Sequence, residues 1–190
     1  IIGIMTSAGT YGHGFFAGTA AEPPRWKTIV SHDGGETWEA PVDHTDDLFG
    51  ANCDNPDTKT WKSGFSGSGA ALQKRDGTLV SSFVNRQADN SQHFYFFMSK
   101  DGGQNWYVSG TSGTSGADEP KSLERNNGDL AISVRSSGYN YYNYTSNDGE
   151  TWHLPSQTRF TSGISGNACD GEYMVWCSTL EGNPWNVALQ

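Results

Sequence analysis

Long apolar runs and positive charge are both scarce in the sequence, and each shortage excludes a class of protein. No stretch is long and apolar enough to span a bilayer, and no segment keeps apolar residues at a 3.6-residue period for three turns. Only 12 lysines and arginines accompany 21 acidic residues, which gives a formal net charge of −9. A chain this acidic is poorly suited to bind nucleic acid or an anionic membrane surface.

Cysteine is scarce too. Cys53, Cys169 and Cys177 lack the spacing of a metal site, and an odd number of cysteines cannot all pair within one chain. Cys169 and Cys177 flank a turn at Asp170-Gly171 and could face each other across neighbouring strands. A disulfide between these two cysteines is therefore one possibility.

Clusters of metal-binding side chains are lacking as well. The five histidines are scattered along the chain. Asp54, Asn55 and Asp57 form an acidic loop with residue types that calcium uses, but without the twelve-residue pattern of a calcium loop. We therefore expect no metal ion and no organic cofactor.

Glycine and aromatic residues are abundant, with 24 of each among 190 positions. Short segments rich in aromatic and β-branched residues alternate with turns rich in Gly, Asn and Asp, a pattern typical of many short β-strands. The length suffices to bury a core and suggests one or two domains. Together these features predict an all-β fold.

One eight-residue pattern occurs three times, at 31–38 (SHDGGETW), 99–106 (SKDGGQNW) and 145–152 (TSNDGETW). Asparagine replaces the first aspartate in the third copy. Hydroxyl and carboxylate side chains can bond the backbone of a tight turn, glycine can adopt a positive φ, and tryptophan can cover the next strand. We call this turn the clasp and predict a structural role for its aspartates.

The strands around the clasps repeat as four-stranded units. Trp106 and Trp152 are 46 residues apart, and four-stranded units at this period are typical of β-propeller blades. The predicted strands of two full blades are 70–73, 78–85, 93–98 and 106–109, then 121–125, 129–135, 139–144 and 152 onward. Partial blades flank them, with strands at 1–6, 27–30 and from Trp38, and at 165–169, 173–178 and 185–190. Since a propeller closes with four to eight blades, we expect 1–190 to be the central part of one propeller domain, with the remainder in flanking sequence.

A short turn at 126–128 joins two of these strands. Glu119 and Arg135 each lie eight residues from Asn127, so a hairpin closed by this turn brings them face to face at its open end, with Cβ atoms about 5 Å apart. Antiparallel strand order puts this pair at the opposite end of the blades from the clasps. A surface ion pair that only holds the hairpin is the structural alternative.

These features together resemble the sialidase (neuraminidase) family of bacterial and trypanosomal type, six-bladed propellers whose clasps are known as Asp boxes. The segment 67–79 (GSGAALQKRDGTL) is similar to the family's Gly-x-Gly strand leading into an Asp-Gly turn. Asp118-Glu119-Pro120, followed by 128–135 (GDLAISVR), is similar to the family's Asn-Glu or Ser-Glu-Pro segment with its catalytic glutamate and a substrate arginine. The resemblance implies a six-bladed propeller of which this chain forms about half.

The resemblance also implies a function, that of an exo-α-sialidase, which hydrolyses terminal sialic acids from glycoconjugates with retention. Arginines would hold the sugar's carboxylate through their planar forks, and Arg135 would be one of three. Because that carboxylate repels an anionic nucleophile, the family attacks with a tyrosine, which needs a base beside it. Glu119, kept ionised by Arg135, would be that base. The implied partners are sialylated glycans, the implied location is secreted, periplasmic or at the cell surface, and transfer to another sugar stays open.

The sequence departs from the family's pattern near its end. The third substrate arginine is expected near 183–186, where the chain has NPWN, and no arginine follows Arg159. The first arginine and the acid aspartate are expected before Ile1, and the nucleophilic tyrosine after the last strands. A non-catalytic sialidase-like propeller, acting as a glycan-binding lectin or surface protein, is therefore the alternative. A propeller that shares only the clasps, such as an endoglucanase or an assembly factor, is disfavoured by the Glu-to-Arg spacing.

Arg86 and Asn143 are two further residues with a possible role at the surface. Arg86 ends a strand at the same end of the blades as Glu119, where it either contacts substrate or is a solvated loop arginine next to Asp89. Asn143-Tyr144-Thr145 is a glycosylation sequon, although Thr145 belongs to a clasp.

Overall fold

The computed structural model describes residues 1–7, 18–67, 71–136, 139–153, 174–177 and 187–189. The elements in this part of the chain are β1 (Ile2–Ser7), β2 (Arg25–Val30), β3 (Val42–Asp43), α1 (Thr45–Leu48), β4 (Ser63–Ser66), β5 (Leu72–Gln73), β6 (Leu79–Arg86), β7 (Gln92–Ser99), β8 (Tyr107–Val108), β9 (Asp118–Glu124), β10 (Leu130–Ser136), β11 (Tyr139–Thr145), β12 (Met174–Cys177) and β13 (Val187–Leu189). Helix in the described residues amounts to the single turn α1, which is far too short to cross a membrane.

The strands in the described residues form four antiparallel sheets, each built from strands that follow one another in the chain. The first sheet has the order β1-β2-β3, the second β4-β6-β7-β8 with β5 beside β6, the third β11-β10-β9, and the fourth β12-β13. Every pairing is antiparallel. The prediction of an all-β, antiparallel fold is confirmed, whereas the six-bladed ring stays a prediction.

One strand was not predicted from the sequence, and one was predicted at the wrong place. The first strand of the second sheet is in two pieces, β4 and β5, which both pair with β6, and only β5 was predicted. β4 was missed because it contains Gly64, and glycine there serves close packing, since a Cβ would lie 2.2 Å from the carbonyl oxygen of Val84. In the first sheet, the strand that follows the clasp is β3 and does not begin at Trp38.

The apolar core lies between neighbouring sheets and is shared by the two faces of β7. Phe94, Phe96 and Met98 belong to a buried cluster with Leu130 and Ile132 of the third sheet. On the other face, Phe97 packs in a second cluster with side chains from the strands, from α1 and from the segments between them, namely Trp26, Leu48, Phe49, Trp61, Phe83 and Trp106. Successive side chains of β7 point to opposite faces of the sheet, and both faces are covered by neighbouring sheets.

The three clasps share one pattern of hydrogen bonds. Asp33 Oδ1 accepts from Ser31 Oγ at 2.8 Å and from the Thr37 N–H at 2.9 Å. The second clasp repeats this around Asp101, and the third places the amide oxygen of Asn147 in the same role. Because the turn needs an acceptor oxygen at this point, asparagine can replace aspartate.

These hydrogen bonds also act on the carboxylates. Thr37 holds the pKa of Asp33 well below its usual range through its hydroxyl and its backbone N–H. Bonds from Asn105 lower the pKa of Asp101 to about 2. Each carboxylate accepts hydrogen bonds within its own turn, which agrees with a structural role.

The turn between β5 and β6 ties the second sheet to the third at the clasp end. Lys74 Nζ lies 2.8 Å from Asp148 Oδ1 in the third clasp. Arg75 donates from its Nη2 to the carbonyl oxygen of Arg125 at 2.7 Å. The first turns and the clasps therefore share one end of the sheets, and the open end of the β9-β10 hairpin lies at the other.

Candidate functional site

The site is built on the β9-β10 hairpin. Its register runs from Leu130 opposite Glu124 to Ser133 opposite Lys121. The turn is closed by the Gly128 N–H, which donates to the Arg125 carbonyl at 2.9 Å, and Gly128 has a φ of +90°. This register is the one predicted from the symmetric spacing about Asn127.

A β-bulge breaks that register at the open end of the hairpin. The register shifts between Ser133 and Arg135, so that Arg135 stands opposite Asp118 and not opposite Glu119. Glu119 has a φ of +46°, a left-handed conformation that is uncommon outside glycine. The predicted direct cross-strand pairing of Glu119 with Arg135 was therefore wrong in its backbone register.

The bulge lies where β9 contacts the neighbouring sheet. Pro120 has no N–H for the ladder, and its carbonyl oxygen accepts a hydrogen bond from Ser82 Oγ of β6 at 2.9 Å. Gly67 lies against the same carbonyl, since a Cβ built on it would be 2.0 Å from that oxygen. The strand thus leaves its pairing with β10 where it contacts the second sheet.

The side chains of Glu119 and Arg135 nevertheless meet. Arg135 Nε donates to Glu119 Oε2, and Arg135 Nη2 donates to Asp118 Oδ2 at 2.5 Å. The three side chains are between 23% and 30% exposed, so they are accessible from solvent. The structure therefore brings the two predicted site residues together and adds a second carboxylate to them.

Asp118 was not among the site residues predicted from the sequence. Its Oδ1 also accepts a hydrogen bond from the Glu119 N–H at 3.0 Å. The signal for it was the residue type, because Asp118 stands where the family's segment has a neutral Asn or Ser. The segment just before it is fixed by Gln92, whose Nε2 donates to the Ala117 carbonyl at 2.6 Å.

The described residues also line a cavity away from Asp118, Glu119 and Arg135. This cavity of about 360 Å³ is bounded by β1 and the second sheet near the clasp end, and its lining includes Ile2, Leu72, Leu79 and Trp106. No ionisable side chain is among its lining residues, whereas two carboxylates and a guanidinium meet at the other end of the sheets.

Arg86 and the sequon asparagine, Asn143, are both at least partly buried. Arg86 is the last residue of β6 and is partly buried, so it is not a fully solvated loop residue. Asn143 is 1% exposed, and its Oδ1 accepts a hydrogen bond from Thr114 Oγ1 at 2.7 Å. A buried, bonded asparagine leaves no room for a glycan in this fold.

The structure also bears on the predictions about a metal site and about the end of the chain. The described residues contain no group of three His, Cys, Asp or Glu side chains that could hold a metal ion, and the loop with Asp54 and Asp57 is no exception. Tyr142 and Tyr144 pack against the buried cluster of Leu123 and Ala131. The 183–186 segment, Cys169 and Arg159 lie outside the described residues, so the predicted arginine position and the disulfide stay predictions.

Comparisons with known proteins agree on one family. Residues 15–178 match the family model of the BNR repeat-like domain. A sialidase of Paraclostridium sordellii is 32% identical over 157 residues, which cover 77% of this chain and 37% of that protein. Among solved structures, the Hadza microbial sialidase Hz136 is 27% identical, with a TM-score of 0.61 over 69% of this chain and 24% of its own.

A Trypanosoma rangeli sialidase is a further structural match. Its TM-score is 0.72 at 19% identity, covering 92% of this chain and 30% of its own, so this likeness concerns the fold. The chain therefore spans between 24% and 37% of the length of these three proteins.

Proposed function

The chain belongs to the sialidase family with BNR-like repeats, and from that premise we propose that it forms part of the substrate site of an exo-α-sialidase. The proposed enzyme is a glycoside hydrolase that removes terminal sialic acids from glycans on the cell surface or outside the cell. Its propeller would have six blades, and residues 1–190 would supply two whole blades and two partial ones.

The observation that carries the proposal is the contact of Glu119 and Arg135 at the open end of the β9-β10 hairpin. The net charge of −9 makes the whole chain repel an anionic sugar. A guanidinium that binds a sialic acid carboxylate must therefore be placed locally, and Arg135 is 30% exposed at the end of the sheets away from the clasps. A guanidinium binds a carboxylate through paired, charge-assisted hydrogen bonds.

Glu119 has the role of general base in the proposed reaction. A tyrosine from another part of the protein attacks the anomeric carbon, and a carboxylate oxygen of Glu119 accepts its phenolic proton. The glycosidic bond breaks as an acid group protonates the leaving oxygen. Water then cleaves the tyrosine–sugar bond, giving its proton back to the acid group, while Glu119 returns the first proton to the tyrosine, so that two inversions give retention.

Turnover of a fluorogenic α-sialoside by the full-length protein tests this proposal. Replacing Glu119 with Gln removes the proton acceptor but keeps the size of the side chain, and we expect kcat to fall about 100-fold or more. Glu124→Gln is the matched control, because Glu124 lies in the same strand at the clasp end, bound to Arg75. It should leave kcat within about threefold of the wild type, a change of under 1 kcal/mol in barrier.

The outcome also separates the alternative function. Wild-type protein that binds the sialoside but does not turn it over would favour a lectin. Protein that neither binds nor hydrolyses it would overturn both. NMR detection of the first product anomer distinguishes retention, which we expect, from inversion.

A further inference from the structure

Asp118 bonds to two groups at once, and both belong to the proposed site. Its Oδ2 accepts from Arg135 Nη2 at 2.5 Å, and its Oδ1 accepts from the backbone N–H of Glu119 at 3.0 Å. One carboxylate thus connects the guanidinium to the main chain of the base. Asp118 occupies its position because the bulge moves it, rather than Glu119, opposite Arg135.

The bulge needs such a connection. A left-handed backbone at a residue other than glycine is strained and persists only when the surroundings fix it. At Glu119, where φ is +46°, Asp118 fixes the backbone N–H and Ser82 fixes the next carbonyl, that of Pro120. The side chain of Glu119 is then directed to Arg135 Nε.

The guanidinium is held by two different carboxylates through two different nitrogens. Nε and Nη2 are fixed in the plane of the group, so two bonds to separate partners determine the direction of that plane as well as its position. If Asp118 were lost, one of the two carboxylate bonds that set this plane would be lost with it. Its orientation toward a substrate carboxylate would then no longer be set in advance.

From these contacts we infer that Asp118 is a positioning residue, which acts on the substrate carboxylate through Arg135. The inference rests on the proposed function. Asn or Ser, which the family's segment has at this point, carries no charge. Asparagine also offers a single acceptor oxygen, so it cannot keep both bonds on separate oxygens as Asp118 does.

The first test compares Asp118→Asn with the wild type in the full-length protein, using a fluorogenic α-sialoside. We expect KM to rise about tenfold, which corresponds to the loss of one charge-assisted hydrogen bond between Arg135 and the substrate carboxylate. We expect kcat to change less than threefold. In Glu119→Gln we expect kcat itself to fall about 100-fold or more, because the proton acceptor is removed. An unchanged KM in Asp118→Asn, or a lower one from removal of the negative charge, would overturn the inference.

A double-mutant cycle asks whether Asp118 acts through Arg135. Arg135→Lys replaces the planar fork with a point charge, so there is no plane left for Asp118 to orient. We expect Asp118→Asn to change KM by less than twofold in the Arg135→Lys background. An equal increase in both backgrounds would mean that Asp118 supports the fold in general, and would contradict the positioning role.

Two controls keep the outcomes distinct. If Asp118→Asn does not fold, as judged by thermal unfolding, Asp118→Ser takes its place, because a serine hydroxyl can accept the Glu119 N–H bond without a charge. Affinity for a sialoside with a carboxamide in place of the carboxylate should be the same in wild type and variant. A wild-type protein without turnover would reject the proposed function itself, whereas normal turnover with an unchanged KM in the variants would reject only the role of Asp118.

Discussion

At the residue scale, His44 is a buried titratable group that the proposed chemistry does not use. It is 3% exposed, its Nε2 lies 2.9 Å from Thr28 Oγ1, and its ring centroid is 5.8 Å from that of Trp26. Burial lowers the pKa of His44 below its ordinary value, and the carboxylates of Asp47 and Asp43 act in the opposite direction without cancelling it. The folded protein therefore favours the neutral imidazole.

This burial predicts a loss of stability in mild acid. With a lowered folded pKa, the unfolded chain binds more protons than the folded one once the pH falls below the unfolded value of about 6.5. The stabilisation is thus present above that pH and is lost as the pH falls toward the folded pKa. Urea unfolding of the wild type and of His44→Gln should show a larger decrease from pH 7.5 to 5.5 in the wild type. Equal decreases would contradict the burial of a neutral histidine.

At the scale of elements, the β9-β10 hairpin shows what the sequence can and cannot predict. The alternation of Leu130, Ile132 and Val134 and the spacing about Asn127 predict its strands, turn and most of its register. The bulge could not be predicted, because it depends on the Ser82 bond to the Pro120 carbonyl, a contact between residues 38 positions apart. Asp118 was missed because it stands opposite Arg135 only as a result of this bulge.

Gly67 tests the contact between these elements. In Gly67→Ala the new Cβ would lie 2.0 Å from the Pro120 carbonyl oxygen, so the β9 backbone must move. We expect a stability loss of roughly 1–3 kcal/mol from overpacking, together with a lower kcat because Glu119 moves with Pro120. Gly110→Ala is the control, since its nearest neighbouring atom is 3.5 Å away. Calorimetry and sialoside kinetics measure the two effects, and a Gly67 variant as stable and active as the control would contradict this packing.

At the scale of the whole molecule, the chain separates its structural turns from its candidate site. Lys74 and Arg75 join the second and third sheets at the clasp end, whereas Glu119 and Arg135 lie at the other end. The clasp repeat predicted this arrangement, because three copies of one turn fix both the strand order and its direction. The number of blades could not be predicted in the same way, since it depends on how many sheets close the ring and not on any one of them.

The central claim concerns the whole assembly, namely that the end of the sheets away from the clasps receives an anionic sugar at Arg135. A crystal structure of the full-length protein with a sialic acid analogue measures this most directly. We predict that the sugar's carboxylate oxygens lie about 2.7–2.9 Å from guanidinium nitrogens of Arg135, the usual length of such charge-assisted bonds. A carboxylate bound at the clasp end, or one that makes no contact with Arg135, would contradict the account.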